Sequence, residues 1–218
     1  MNWILDWRAA GFSSFPVGGK AQALGSLSAG GFPIPRWVVI PPSAFDACLS
    51  ANQRNLLNQA ARAAQAREIL QDLAPASELM EAVRVYLATH FPNTDSFAVR
   101  SSALDEDGAQ ASFAGQLESH LNVTRETLAA RIADVWRSGF SERIFLYRQQ
   151  AGLANPPTAP AVIIQEMIPA DSAGVAFSAD PVTGRRGAAV VASVFGLGEA
   201  LVSGEKNSDL FEVDRGGK

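Results

Sequence analysis

Hydrophobic residues follow two rhythms along this chain, one of helical period and one of short unbroken runs. Near the start, "SFPVGGKAQALGSLSAGGFPIPRWVVIPPSAF" sets Ala23, Leu24 and Leu27 at helical spacing. That spacing predicts a helix over Lys20 to Leu27, closed by Gly30-Gly31, where glycine tolerates positive φ. "WVVI" reads as a strand, and Ser43, after two prolines, is placed to cap the next helix. From Arg54 to Leu73 an alanine-rich segment carries Leu56, Ala60, Ala63, Leu70 and Leu73 as one apolar stripe. It predicts a single helix stopped by Pro75. Ser77 is the candidate cap of another, with Leu79, Val83 and Leu87 on one face.

The second rhythm begins with "FAVRSS", a short apolar run that suits a buried strand and ends at Arg100. "LESHLNV" follows as a strand, then Thr124 as cap of a helix through Trp136, then a helix holding "ERIFLYRQQAG". The proline-rich "NPPTAP" is a connector. Beyond it "AVIIQEMI", "AGVAFSA" and "AAVVASVFG" are β-branched runs between turns, which predicts strands of a mostly antiparallel sheet, with "LFEV" as one more. The pattern gives a mixed α+β (α/β) fold in two lobes, residues 1–155 and 156–218.

Composition narrows the function. Hydrophobic content of 47% with 18% charged residues describes a chain that folds on a core, not a disordered one. The formal net charge of −4 argues against non-specific binding to nucleic acid or to an acidic membrane, so an anionic ligand requires local cations. Cys48 stands alone and His90 and His120 lie far apart, so neither a disulfide nor a Cys/His metal site is expected. The opening "MNWILDWRAAGF" lacks a basic leader and no apolar run is long enough for a membrane span, which makes a cytoplasmic protein the expectation.

Three stretches could carry chemistry. "FPVGGKA" is not a Walker A loop, since Ser14 and Ala21 stand where glycine and Ser/Thr are required. A Gly-Gly turn entering a helix still exposes backbone N–H groups, and Lys20 adds a cation there. In "FAVRSSALDEDGAQASFAGQLESHLNV", Arg100 offers a planar fork that matches phosphate oxygens, unless it simply pairs with Asp105, Glu106 or Asp107. Further along, Gly115 allows close backbone approach and Ser119 offers a hydroxyl. In "IIQEMI" an apolar strand ends in Gln165, Glu166 and Met167, a polar edge beside soft side chains that suits a purine. The acidic turn Asp105-Glu106-Asp107 reads as a solvated loop, with metal binding as the alternative.

Taken together, "VGGKAQALGSLSAGGFPIPRWVVIPPSAF", the Arg100 stretch, "VWRSGFSERIFLYR", "VIIQEMIPADSAGVAFSADPVTG" and "FGLGEALVSGEKNSDLFEV" resemble one family in its own order. The family is the N-terminal ATP-grasp domain of the dikinases, among them phosphoenolpyruvate synthase, pyruvate phosphate dikinase and rifampicin phosphotransferase. The resemblance implies an ATP-grasp-type nucleotide-binding domain cut short at its C-terminal end. It implies that Lys20 contacts the triphosphate, that Arg100 clamps it and that Gly115 lies in the glycine loop over it. Ser119 stands where relatives carry threonine, Gln165 matches the adenine pocket, and Glu166, Met167 and Ile168 line that pocket. ATP and Mg2+ are the implied cofactors, with the acidic metal ligands expected outside this chain. Lys206 to Asp209 read "KNSD" where relatives read "VNPD". The implied partners are a phosphohistidine domain and an acceptor-binding domain, since neither His90 nor His120 has the Thr-Gly-Gly setting of the phosphate-accepting histidine. Pyruvate is the first expected acceptor and a rifamycin the second; a non-catalytic nucleotide-binding module is the other class.

Overall fold

A computed structural model describes residues 2–103, 107–108, 111–112, 117–150, 152–153, 156–205 and 207–214. They form two compact units, residues 1–167 and 168–218.

In the first unit a 3-10 turn, Phe12–Ser14, leads into α1 (Gly18–Ala29) and β1 (Trp37–Ile40). Helices α2 (Pro42–Cys48), α3 (Ala51–Gln59), α4 (Ala63–Ile69) and α5 (Ser77–His90) follow, then β2 (Phe97–Ser102). A short hairpin of β3 (Asp107–Gly108) and β4 (Ala111–Ser112) precedes β5 (Ser119–Val123), α6 (Leu128–Ser138), α7 (Glu142–Gln150) and β6 (Ala161–Glu166). The main sheet has the order β1-β6-β2-β5, and every pairing in it is antiparallel.

The pleat sends alternate residues to opposite faces. Val38, Ile40, Phe97, Val99, Val123, Val162 and Ile164 pack against α2, α5 and α6 in the larger core, around the buried Trp136 and Phe91. Trp37, Val39, Ala161 and Ile163 face the other way, onto Leu5, Phe12, Val17 and Ala21. Both faces of β1 and β6 are thus covered, which is why these strands read as continuous apolar runs and not as an alternation.

Several expectations are revised. The helix predicted from Arg54 to Leu73 is two helices: α3 begins in a capping box between Ser50 and Gln53, and Ala60 is extended before α4 starts after Arg62. The predicted caps shift as well. Pro41 stands at the N-cap of α2 with Pro42 in its first turn, Ala76 stands at that of α5, and Thr127, not Thr124, at that of α6, none of them with a side-chain cap hydrogen bond. Arg100 does not end its strand, because β2 runs on to Ser102. Residues 161–166, read as part of the second lobe, lie between β1 and β2 in the first unit, which ends at Met167. The second unit is the antiparallel sheet β7-β8-β9 (Ser172–Phe177, Ala188–Phe195, Asp209–Asp214), with the short helix α8 (Glu199–Val202) before its last strand.

Arginines fasten the first unit where helices end and leave carbonyls without partners. Arg125 donates to Phe91 O and Thr94 O (2.6 and 3.1 Å), and Arg137 to Leu70 O and Leu73 O (3.2 and 2.8 Å). The N-terminal segment is held in a different way. Leu5 exchanges two backbone hydrogen bonds with Val39, and Asp6 accepts from the Tyr86 hydroxyl on α5 and from Arg8. Burial pushes the Asp6 carboxyl up, but the hydrogen bonds from Arg8 and Tyr86 outweigh it and hold the group at about 2.

A depressed carboxyl stabilises the fold above its unfolded value of about 3.9, and the contribution is lost as pH falls through the folded value. Urea unfolding of the wild type is therefore expected to lose part of its free energy between about pH 4 and pH 2. Asp6→Asn should flatten that part of the profile, and Tyr86→Phe should cost about 0.5–1.5 kcal/mol at pH 7.

Candidate functional site

Three of the elements read from the sequence meet on the face of the sheet that α1 covers. The first turn of α1 rests on the end of β2. Gly18 has φ 77°, and a Cβ on it would stand 2.5 Å from the backbone of Ser102 and 2.6 Å from Ala103 O. Only glycine fits both conditions. Gly19 N–H donates to Ala103 O (3.4 Å) and Ala21 N–H to the Ser102 hydroxyl (3.0 Å). Val17, at the N-cap, provides no side-chain cap, so Ser102 takes that role across a sequence separation of 81 residues. Lys20 lies between the anchored Gly19 and Ala21, and Ser102, the anchor of Ala21, is two strand positions beyond Arg100.

Arg100 opposes Ile163 of β6 on one side and Ser119 of β5 on the other. Gln165 opposes Ala98, and by the pleat Arg100, Ser119 and Gln165 share one face. Arg100 Nη1 donates to Gln165 Oε1 at 3.4 Å, and the amide's other end donates to Pro35 O at 3.4 Å. Gln165 is only 8% exposed, so its orientation is set by these neighbours and by packing.

Glu166 points to the opposite face, the face of Phe97, its register partner. Both its carboxylate oxygens accept from Arg36, Nε at 2.8 Å and Nη2 at 2.7 Å, and Thr94 Oγ1 donates to it at 2.9 Å. The Arg36 guanidinium holds this carboxyl below the usual range for glutamate. Met167 closes the first unit with its N–H on Ser96 O (3.0 Å). Ile168 opens the second unit and is exposed. Gly115 and the acidic Asp105-Glu106 lie outside the described residues. Ser102 and Arg36 were not singled out from the sequence. The signals for them were a hydroxyl two places beyond Arg100 and a charge directly before an apolar strand.

The comparisons bear on what this arrangement serves. Residues 15–218 match the family described as pyruvate phosphate dikinase, AMP/ATP-binding domain. The chain belongs to that family. It is 35% identical to rifampicin phosphotransferase of Bacillus cereus, over 97% of this chain and 26% of that protein. Against rifampicin phosphotransferase of Streptomyces sviceus the identity is 39%, over 99% of the chain and 27% of the relative. Phosphoenolpyruvate synthase of Aeropyrum pernix is 31% identical over 91% of the chain and 27% of its own length. The chain thus spans about a quarter of the length of these relatives.

No three His, Cys, Asp or Glu side chains converge among the described residues. Asp180 accepts from Val182 N–H, Thr183 N–H and the Thr183 hydroxyl (2.8, 3.2 and 2.6 Å), which closes its own turn. No metal ligand is assigned.

The docking of α1 predicts a sharp penalty at one position. Gly18→Ala should cost about 1–3 kcal/mol, through its positive φ and the clash with Ser102. Urea unfolding checks this, and an unchanged midpoint would show that α1 does not rest on β2 as described.

Proposed function

We propose that the chain is the ATP-binding module of a dikinase-type phosphotransferase, with Lys20 and Arg100 holding the triphosphate. The observation that carries the reading is the seating of the α1 first turn on Ser102 and Ala103, which sets Lys20 beside the strand of Arg100. In this reading Gly115 belongs to the loop over the phosphates, Ser119 flanks them, and Gln165 with the backbone of Glu166, Met167 and Ile168 lines the adenine. The fold is of ATP-grasp type and its two lobes correspond to the two compact units.

The chemistry assigned to these residues is binding and orientation. A guanidinium and an ammonium aimed at a triphosphate position it for in-line transfer and stabilise the charge that moves during it. Magnesium, when bound, would neutralise charge on the phosphates; its ligands are proposed to come from outside the described residues. The phosphate then passes to a histidine on another domain and on to a small acceptor.

Two acceptors follow from the relatives, pyruvate and a rifamycin. Among matches over more than nine tenths of the chain, identity of 35% and 39% to rifampicin phosphotransferases, against 31% to the Aeropyrum synthase, supports the rifamycin. Identity in a nucleotide-binding domain reflects the ancestry of the enzyme and not contact with the acceptor, so the acceptor is decided by assay. With β-labelled ATP and a protein that joins this chain to its phosphohistidine domain, label is expected in the rifamycin. Label in pyruvate instead would restore the synthase reading.

The phosphate assignment has its own test. Lys20→Ala and Arg100→Ala should each weaken ATP roughly tenfold to a hundredfold, the worth of one charge-assisted contact, and leave adenosine nearly unchanged. Equal losses for ATP and adenosine by calorimetry would refute the assignment.

A further inference from the structure

We infer that Arg36 is a positioning residue for nucleotide-base recognition, acting through Glu166 from the back of the sheet; this rests on the ATP-binding reading above. The segment Gln165 to Met167 ends β6 and closes the first unit. A strand end is where a backbone frays, yet this one is held from several sides. Glu166 N–H donates to Arg36 O at 2.8 Å and Met167 N–H to Ser96 O at 3.0 Å. The Arg36 guanidinium grips both Glu166 oxygens, donates to His90 O through Nη1 (2.6 Å) and to Thr94 Oγ1 through Nη2 (3.1 Å), and lies 5.1 Å above the Phe91 ring. One planar fork therefore ties the start of β1, the end of α5, the loop before β2 and the end of β6.

Two consequences bear on a base. Glu166 cannot present its carboxylate to a ligand on the Gln165 face, because the pleat turns it away and Arg36 engages both its oxygens. Its part is to fix the height and twist of the strand end that carries Gln165. With the N–H groups of Glu166 and Met167 already donated, the backbone of these two residues is left with carbonyl acceptors. Acceptors held in place favour the 6-amino group of adenine and disfavour the 6-oxo group of guanine. Discrimination of that kind depends on rigid placement, since a mobile carbonyl turns aside from an oxygen at little cost. A lysine at position 36 keeps the charge but cannot supply the fork.

The test uses the protein carrying this chain and measures dissociation constants for ATP, GTP and inorganic tripolyphosphate, with thermal unfolding alongside. Arg36→Lys and Glu166→Gln should each reduce the preference for ATP over GTP about tenfold while tripolyphosphate binds as in the wild type. Should either variant fail to fold, Thr94→Val removes one strut of the clamp and should shift the same ratio in the same direction. An unchanged ratio overturns the inference and leaves the ATP reading intact. A parallel loss of tripolyphosphate binding also overturns it, by showing a general collapse of the site. A wild type that binds neither ATP nor tripolyphosphate overturns the ATP reading itself, and the inference with it.

Discussion

A single close approach sets the geometry of this face of the sheet. The first turn of α1 touches the backbone of Ser102 and Ala103 at a separation that leaves no space for a side chain at position 18. Glycine in a helix start costs conformational entropy, so the contact has to return more than it removes. It does so in two ways. The Ser102 hydroxyl and Ala103 carbonyl satisfy N–H groups that a helix otherwise exposes at its start. The approach also seals Val17 and Ala21, neither of them exposed, against Trp37, Val39 and Ile163. Small residues continue the theme: a Cβ at Gly25 would stand 2.8 Å from the Phe12 ring, which itself meets Trp37 edge-on.

The two faces of the sheet then do different work. One face carries the larger core, where aromatic and branched side chains give most of the burial. The other carries a smaller core at the β1 side and polar side chains on β2, β5 and the end of β6. Rigidity made on the first face is delivered to the second through the strands, because a strand fixed on one side cannot twist freely on the other. Gln165 and Glu166 show the division within two residues, one bonded to Arg100 and the other to Arg36.

Much of this was legible in the sequence, and the parts that were not share a cause. The strands Trp37–Ile40, Phe97–Ser102 and Ala161–Glu166 stood out as apolar runs because both their faces are covered. Arg100 and Gln165 were visible as polar residues that interrupt such runs. The break of the predicted long helix at Ala60 to Arg62 was not visible, since neither glycine nor proline marks it; burial of Ala63 and Ala66 decides it. Likewise the run at 161–166 looked like its C-terminal neighbours, and only pairing with β1 and β2 assigns it to the first unit. Which way Glu166 points was beyond the sequence too, because a period of two gives the alternation and not its phase. Local chemistry was readable; register and long-range partners were not.

The two arginines at the end of β6 show why charge counts alone say little about anion binding in a chain of net charge −4. Arg36 meets a carboxylate in a two-pronged ion pair, so its field is largely cancelled at the site. Arg100 meets the neutral amide of Gln165 at 3.4 Å, a contact that orients the guanidinium without neutralising it. The first arrangement fixes structure; the second sets a guanidinium against an uncharged side chain, as the phosphate role proposed for Arg100 requires. A phosphate that approaches a protein surface is attracted by the charges placed near it, whatever the sum over the surface. On the ATP-binding reading proposed above, the same local logic lets a chain of net charge −4 hold a polyanion with a few placed cations.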